Sequence, residues 1–292
     1  MSSYLTPLDS NRIERLCKTP LVDAMHSTTP FEGVELLQAW FAAEAYDKHR
    51  HDTYAIGLTD LGVQSYDYRG EKRVSTAGKV MVLHPDELHN GHAGSDAGFG
   101  YRIAYIDPAC ISDAVNIIVG RPCPLPFVKE TVSDNKILAN VVQFLFNSGT
   151  KITETLAKDE IILQLASGLI AADPDCARLT KKYTVDDHAV GIAREYLSHN
   201  HHRVIHSIEL ESITGLTRYD LIRQFKKVLG TSPYQYSIHR RLATARDLLQ
   251  QNMSLVETAL ATGFCDQAHF NRMFKSTYGI TPGRYTDIIS AN

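Results

Sequence analysis

The last third of the chain contains the same sequence unit twice. A displacement of 49 residues pairs the following stretches and single residues: Arg223-Gln224-Phe225-Lys226 with Arg272-Met273-Phe274-Lys275, Gly230 with Gly279, Pro233 with Pro282, and Tyr236 with Tyr285. The two copies, called the first and second repeat, each have a turn glycine and an N-cap residue, Gly215 with Thr217 and Gly263 with Asp266. Helix-spaced apolar residues flank each turn, so each repeat is predicted to be a helix-turn-helix unit.

Apolar spacing also predicts the helices of this region. Residues 209–214 and 218–229 form the pair in the first repeat, and residues 255–261 with the run from Gln267 form the pair in the second. Between the repeats, residues 233–251 begin with proline and keep helical spacing, which predicts a connecting helix about 25 Å long. Such a connector suits two recognition helices that lie about 34 Å apart, one turn of DNA.

The second helix of each repeat carries the candidate DNA contacts. Leu221, Phe225 and Leu229 recur every four residues and are predicted to be buried, as are Phe270 and Phe274 in the second repeat. Off these stripes lie guanidinium and amide groups that suit base edges, and lysines that suit phosphates. The candidates are Arg218, Tyr219, Ile222, Arg223 and Lys226 in the first repeat, and Gln267, Ala268, Asn271, Arg272 and Lys275 in the second.

The charge of the chain is unevenly distributed, although the total is −3. Residues 1–177 carry 15 Lys and Arg against 23 Asp and Glu, a net charge of −8, whereas residues 178–292 carry 15 against 10, a net charge of +5. Because phosphate binding draws on Lys and Arg, the basic part is the one expected to meet a polyanion. Charge by itself leaves open a basic face that is simply solvated.

Short apolar runs with alternating polarity occupy residues 31–107. The predicted strands are residues 34–41, 54–58, 64–68, 79–83 and 101–105. Several short strands at a spacing of about 8–12 residues indicate a small sandwich or barrel. From Lys136 to Ala172 the apolar spacing becomes helical. The fold class is therefore α+β, with a β-rich N-terminal domain and helices, followed by an all-α domain with two helix-turn-helix units.

Residues from about Val185 onward resemble the DNA-binding domain of the AraC-type transcriptional regulators. The stretch Gly263-Phe-Cys-Asp-Gln-Ala-His-Phe-Asn-Arg-Met-Phe-Lys-Ser-Thr-Tyr-Gly-Ile-Thr-Pro-Gly-Arg-Tyr285 is similar to the signature of that family nearly residue for residue. Glu211 departs from the pattern, because the family usually has a small alanine there. The resemblance implies that the candidate residues of the two repeats read successive grooves of double-stranded promoter DNA, with RNA polymerase as a further partner.

Residues 30–108 resemble the cupin-like sensor domain that many AraC-type regulators carry. The matching stretches are His49-Arg-His-Asp-Thr-Tyr-Ala-Ile-Gly57, Tyr66-Asp-Tyr-Arg-Gly70 and Leu83-His-Pro-Asp-Glu-Leu-His89. This resemblance implies a β-barrel that binds a small-molecule effector, and a homodimer whose seam is residues 156–170. The predicted organisation is a cupin-like effector-sensing domain in residues 1–133, dimerisation helices and a linker in 134–184, and a DNA-binding domain in 185–292.

Histidines of the predicted barrel mark the candidate effector site. His49 and His51 are two residues apart, so on a strand both imidazoles point to one face, and His89 follows a later strand. The predicted effector-binding residues are His49, His51, His89, Trp40 and Tyr54. The three histidines with Glu87 are also candidate ligands of a divalent metal ion, which would be a cofactor of this domain. Hydrogen bonding within the barrel, an organic effector and a metal ion all stay open.

The leading interpretation is a sequence-specific DNA-binding regulator that responds to an effector and is not an enzyme. The alternative is a metal-dependent cupin enzyme or metal sensor fused to a DNA-binding domain, and a third is architectural DNA binding without an effector. The five cysteines are scattered and contain no C-x-x-C pair, which argues against a disulfide framework. No run reaches the ~18 apolar residues of a membrane helix and no secretory signal is recognisable, so a cytoplasmic protein without a membrane partner is expected.

Overall fold

The computed structural model describes residues 23–148, 151–180 and 182–290. The chain divides into an N-terminal unit, made of residues up to Ile152 with Ile161–Lys181, and a C-terminal unit, made of Thr153–Glu160 with the residues from Lys182 onward. The sequence predicts boundaries at residues 133 and 184 and a separate middle segment. In the structure, residues 134–184 are instead divided between the two units, and residues 1–22 of the predicted sensor domain lie outside the described residues.

Nine described strands build the N-terminal unit. They are β1 (Ala24–Phe31), β2 (Val34–Phe41), β3 (Glu44–His49), β4 (Tyr54–Tyr68), β5 (Glu71–Thr76), β6 (Val80–Leu83), β7 (His89–Ala93), β8 (Phe99–Ile106) and β9 (Val132–Ser133). One antiparallel path runs β1-β2-β8-β4-β6-β9, and the second half of β4 pairs with β5 and β7 while β7 also pairs with β3. The long strand β4 therefore belongs to both layers.

The strand β4 joins two runs that the sequence predicts as separate strands, 54–58 and 64–68. The pairing of β4 with β8 shifts register between Thr59 and Leu61, so the strand bends without ending. Gly62 follows the bend with φ +70°, and a side chain there would collide with the carbonyl oxygen of Gly98. The bend lets one strand pair first with β6 and β8 and then with β5 and β7.

Alternation along the strands produces an apolar core between the layers. Leu37, Ala39 and Phe41 on β2 point to the same face and pack with Tyr101 and Ile103 of β8. The opposite face of β2 is also buried, and Trp40 on that face is 1% exposed. Both faces of this part of the sheet are therefore covered, which fits the nearly continuous apolar sequence of β2.

Helices complete the N-terminal unit and connect it along the chain to the next. They are α1 (Pro108–Val119), α2 (Lys136–Asn147), α3 (Thr155–Ala172) and α4 (Pro174–Ala177). The side chain of Asp107 caps α1 and that of Asn135 caps α2. No apolar side chain of α3 between residues 156 and 170 is exposed, because this helix is covered within its own chain. The apolar residues of the predicted dimer seam at 156–170 are therefore covered in the single chain, and the seam itself stays a prediction.

The rest of the C-terminal unit is helical. Its helices are α5 (Asp187–His199), α6 (Ser207–Thr214), α7 (Arg218–Leu229), α8 (Pro233–Gln250), α9 (Leu255–Ala261), α10 (Gln267–Tyr278) and α11 (Pro282–Ser290). The predicted helices 218–229 and 255–261 have those bounds, whereas the helix predicted at 209–214 begins earlier, at Ser207. Thr217 accepts a bond from the amide of Asp220 at 3.3 Å, and Asp266 accepts one from His269 at 2.6 Å. Both repeats thus have their predicted N-caps.

The segment Thr153–Glu160 packs within the C-terminal unit through its carboxylates. Glu154 accepts a bond from Nη1 of Arg241 at 2.9 Å, and the two side chains are 7% and 0% exposed. Glu160 accepts a bond from the Ser232 hydroxyl at 2.5 Å. Asp159 accepts a bond from the Ser207 hydroxyl. The first turns of α3 are therefore part of the core of the unit that carries the repeats.

None of the described helices is both long and apolar enough to cross a bilayer. The four cysteines within the described residues, Cys110, Cys123, Cys176 and Cys265, are free thiols.

Candidate functional site

The recognition helix of the second repeat, α10, presents an accessible polar face. Phe270 and Phe274 are fully buried and hold the helix to the unit, as their spacing predicts. Ala268, Arg272 and Lys275 are exposed, and Gln267 and Asn271 are half-buried. Neither Arg272 nor Lys275 forms an ion pair with any residue that the structure describes. The side chains predicted to meet DNA thus lie on one helix, and Arg272 and Lys275 form no direct ion pair with the described residues.

Asn271 has an unfulfilled hydrogen-bonding group. Its Oδ1 atom is buried and has no partner among the described residues. A buried amide oxygen without a donor costs about 1–3 kcal/mol, so a partner supplied from outside the chain would be favourable. A base edge reaches this oxygen only when the Asn271 side chain rotates outward, because the atom is buried in this conformation.

The second helix of the first repeat, α7, is more buried than its sequence predicts. Tyr219 and Ile222 are 3% and 4% exposed, although the sequence predicts both on the DNA-facing side. With Leu221 and Phe225 they span about 160° of the helix circumference at about 100° per residue, and the buried Gln224 widens this arc to about 220°. The four-residue stripe identified the centre of the buried face but missed its width, because α7 is covered on more than one side. Leu229, predicted to be buried, is half-buried.

The two arginines of α7 are engaged within the C-terminal unit. Nε of Arg218 lies 3.7 Å from Oδ1 of Asp159. The Arg223 side chain is 17% exposed, with Nη1 3.5 Å from Oδ1 of Asp220 and the guanidinium 4.2 Å from the ring centre of Tyr183. Among the five candidates of this repeat, Lys226 is exposed and the Arg218 side chain is 41% exposed. Nothing in the sequence near these two arginines indicates partners that lie about 40–60 residues away along the chain.

In the N-terminal unit, the structure brings the three candidate histidines together. His49 on β3 pairs directly with His89 on β7, and His51 follows β3 in the next loop. The ring centres of His49 and His89 are 4.4 Å apart, and those of His51 and His89 are 4.9 Å apart. Tyr46 and Tyr105 border this cluster, 5.4 Å from His49 and 5.3 Å from His51. We call these three imidazoles the histidine cluster.

Backbone carbonyls fix the tautomer of every ring in the histidine cluster. Nδ1–H of His49 donates to the carbonyl of Asp47 at 2.8 Å, that of His51 to Thr53 at 2.8 Å, and that of His89 to Glu87 at 2.9 Å. A carbonyl can only accept, so each neutral ring keeps its lone pair on Nε2. The Nε2 atom of His51 is buried and has no partner among the described residues.

Burial keeps part of the histidine cluster neutral. It lowers the pKa of His51, and it lowers the pKa of His89 to about 4, with the neighbouring histidines adding to the decrease at His89. Burial also raises the pKa of Tyr46 and Tyr105 above the ordinary phenol value. The site therefore combines uncharged imidazole acceptors with phenol groups that keep their protons at neutral pH.

Two predicted effector residues lie elsewhere. Trp40 is on the face of β2 opposite Ala39 and Phe41, with its ring against Gly98. The Tyr54 hydroxyl donates to the carbonyl of Pro126 at 2.8 Å, and its ring faces His84. Neither residue contacts the histidine cluster. Strand alternation explains this, because Trp40 points opposite to Ala39 and Phe41, and Tyr54 points opposite to Ala55.

The metal hypothesis finds no fitting set of ligands. Within the described residues, no three His, Cys, Asp or Glu side chains are arranged to hold a metal ion. Glu87, the candidate fourth ligand, bonds instead to Nε of Arg69 at 3.0 Å. No step of the proposed mechanism therefore involves a metal.

Sequence reasoning missed the tyrosines beside the histidine cluster. The hydroxyl of Tyr101 donates to that of Tyr46 at 2.9 Å, and Tyr105 reaches His51. Tyr101 and Tyr105 lie four residues apart on β8, and the period of two puts them on the face of Phe99 and Ile103. This alternation in the sequence could have predicted that the two tyrosines share one face of the strand.

Comparisons with known proteins found two family models that match this chain. A family model described as an AraC-like ligand binding domain matches residues 32–166, and one described as a helix-turn-helix domain matches residues 210–287. The chain is 31% identical over 270 residues to the probable transcriptional regulator LumQ of Photobacterium leiognathi, which covers 89% of this chain and 98% of that protein.

A second relative is an uncharacterized HTH-type transcriptional regulator of Bacillus subtilis, YbfI, which is 27% identical over 226 residues, 77% of this chain and 82% of that one. Among solved structures, a probable AraC family transcriptional regulator from Rhodopseudomonas palustris has 27% identity and a TM-score of 0.33 over 35% of this chain and 97% of its own.

Proposed function

Because the chain belongs to the AraC-type family of transcriptional regulators, with a ligand-binding domain and a helix-turn-helix DNA-binding domain, we propose that it reads promoter DNA chiefly through α10 and responds to a small polar molecule bound at the histidine cluster. The observation that carries the proposal is the accessible face of α10. The net charge of +5 in residues 178–292 supports it, because the phosphate backbone dominates affinity.

In this proposal the residues of α10 have separate roles. Gln267, Asn271 and Arg272 address base edges in the major groove, since amide and guanidinium groups make paired hydrogen bonds there. Lys275 contacts phosphate and adds affinity without sequence preference. Ala268 makes an apolar contact of the kind that suits a thymine methyl group.

The effector proposed for the N-terminal unit is a compact molecule with hydrogen-bond donors. The Nε2 atoms of the histidine cluster are acceptors, and that of His51 lacks a donor. Hydroxyl, amide or ammonium groups would satisfy them, while the Tyr46 and Tyr105 rings supply apolar contact. Such a molecule shifts the activity of the regulator only by its differential affinity for the two functional states.

Three further features of the proposal follow from the family. A regulator of promoters acts in the compartment that holds the DNA, so a cytoplasmic location is included. RNA polymerase and a second copy of this chain are the protein partners. Sedimentation of the full-length protein with and without DNA tests the dimer.

The experiment that tests the function is selection of duplexes from a random DNA pool by the full-length protein. We expect an enriched sequence bound by the wild type, and loss of enrichment for Arg272→Ala with unchanged folding by circular dichroism. Recovery of unselected DNA with no consensus would contradict sequence-specific binding.

A further inference from the structure

The two repeats differ at one corresponding position beside the recognition helix. Four residues before the turn glycine, the second repeat has Ala259 and the first repeat has Glu211. Ala259 is buried, with 1% of its surface exposed. The Glu211 carboxylate instead accepts a hydrogen bond at 2.6 Å from the backbone N–H of Arg218, the first residue of α7. No side chain among the described residues does this for Gln267, the first residue of α10.

A second carboxylate meets the same end of α7. Asp159 lies 3.7 Å from Nε of Arg218. The Asp159 side chain is 12% exposed and also accepts a hydrogen bond from the Ser207 hydroxyl. The first turn of α7 therefore has one acidic group on its backbone amide and another on its arginine, and the two come from different segments of the C-terminal unit.

These carboxylates occupy the groups that would meet DNA. Free N–H groups at a helix N-terminus and the positive end of the helix dipole bind phosphate. Glu211 already uses one of these N–H groups, and its charge repels an approaching phosphate. Asp159 neutralises the arginine that would contact the backbone or a base. The N-terminus of α10 has Asp266 as its N-cap and no second carboxylate on its first amide.

We propose that Glu211 and Asp159 hold the first repeat back from DNA, so that the second repeat reads the site while the first adds contacts only when these carboxylates are displaced or neutralised. The inference rests on the proposed DNA-binding function and assigns the difference between the repeats to two named residues. Arg223, held by Asp220 and the Tyr183 ring, is consistent with a first repeat arranged for contacts within the protein.

The test compares full-length wild type with Glu211→Gln and Asp159→Asn on a 40-base-pair duplex enriched from a random pool. Each amide keeps an oxygen that accepts the existing hydrogen bond and removes the negative charge. We expect each variant to bind about 3–10-fold more tightly, with a salt dependence steeper by about one phosphate contact. Hydroxyl-radical footprints should lengthen on one side of the site read by α10.

The matched control is Glu195→Gln, which makes the same change in charge at an exposed position of α5. We expect it to leave the footprint unchanged, and thermal unfolding verifies that all variants are folded. The inference is overturned if Glu211→Gln and Asp159→Asn bind the duplex with the same affinity and footprint as Glu195→Gln. It is also overturned if the wild-type footprint already protects the DNA that both repeats would contact. Failure of the wild type to enrich any sequence would instead contradict the proposed function itself.

Discussion

The guanidinium of Arg241 lies within 2.9 Å of the Glu154 carboxylate and has no exposed surface. Arg241 also donates to the backbone carbonyls of His201 and Arg203, at 3.2 and 3.1 Å. One buried charge thus connects α8, the loop before α6 and the segment that precedes α3. Glu154 is the acidic residue that neutralises it, from 87 positions earlier in the chain.

We therefore expect Glu154→Ala to destabilise the C-terminal unit by about 3–5 kcal/mol, because it leaves Arg241 buried and unpaired. The double variant Glu154→Leu with Arg241→Met should recover most of this loss, since it removes both charges. Denaturant unfolding followed by far-ultraviolet circular dichroism measures the effect. The single tryptophan, Trp40, lies in the N-terminal unit and reports that unit separately by fluorescence. Equal stability of the single and double variants would contradict the ion-pair argument.

The two recognition helices should respond unequally to loss of an arginine. Arg272→Ala should weaken binding to the selected duplex by about 1–3 kcal/mol, the value of a bidentate base contact. Arg223→Ala should cost less than this, because that guanidinium is already engaged by Asp220 and Tyr183. Fluorescence anisotropy on cognate and scrambled duplexes measures both. Equal losses would mean that the first repeat reads bases as the second does.

Lysine replacements separate phosphate contacts from base contacts. Lys275→Ala should weaken binding to cognate and scrambled duplexes alike and reduce the salt dependence by about one unit of slope. Lys226→Ala should change neither strongly if the first repeat stays off the DNA. Titrations at several salt concentrations provide the slopes, and a larger effect at Lys226 would contradict this assignment.

Stability should depend on pH through buried histidines. Burial lowers the pKa of His84 and His89 to about 4, against 6.5 for an exposed imidazole. Between these values the unfolded chain binds more protons, so the free energy of unfolding falls as the pH drops from 6.5 to 4. The slope is up to about 1.4 kcal/mol per pH unit for each histidine. His89→Gln should flatten this dependence, and an unchanged slope would show that His89 does not contribute.

The effector site can be tested before the effector is known. A thermal-shift screen of small polar molecules should yield compounds that stabilise the wild type, by about 2.7 kcal/mol at a concentration of 100 times Kd. His51→Ala should abolish that stabilisation. Tyr54→Phe is the matched control and should keep it, because Tyr54 bonds to Pro126 away from the histidine cluster. A compound that still stabilises His51→Ala binds elsewhere.

Metal analysis addresses the remaining alternative function. We expect protein purified without added ions to contain much less than one equivalent of metal, because Glu87 is paired with Arg69 and no described ligand set is formed. One equivalent of iron, manganese or nickel that disappears in His49→Ala would support a metal sensor or enzyme instead.

Local signals in the sequence determined much of this protein. The repeated spacing, the N-caps Thr217 and Asp266, and the turn glycines located both helix-turn-helix units, since caps and turns depend on neighbouring residues. The pair His49 and His51 indicated the histidine cluster, and the signature around α10 indicated the family. These features could be predicted because each depends on residues that are close together in the sequence.

The tertiary structure decided which of the predicted residues are available. The apolar period of a helix predicts the direction of its buried face but not the width of that face. The period therefore predicted Tyr219 and Ile222 to be exposed, whereas both are buried in the structure. Strand alternation placed Trp40 and Tyr54 away from the histidines, because neighbouring residues point to opposite faces. Asp159 and Glu154 meet Arg218 and Arg241 from more than 50 residues away, and such pairing of distant charges has no local signature. Features that depend on neighbouring residues were therefore predictable from the sequence. Contacts between residues far apart in the chain were not, because tertiary packing forms them and the local sequence pattern does not indicate them.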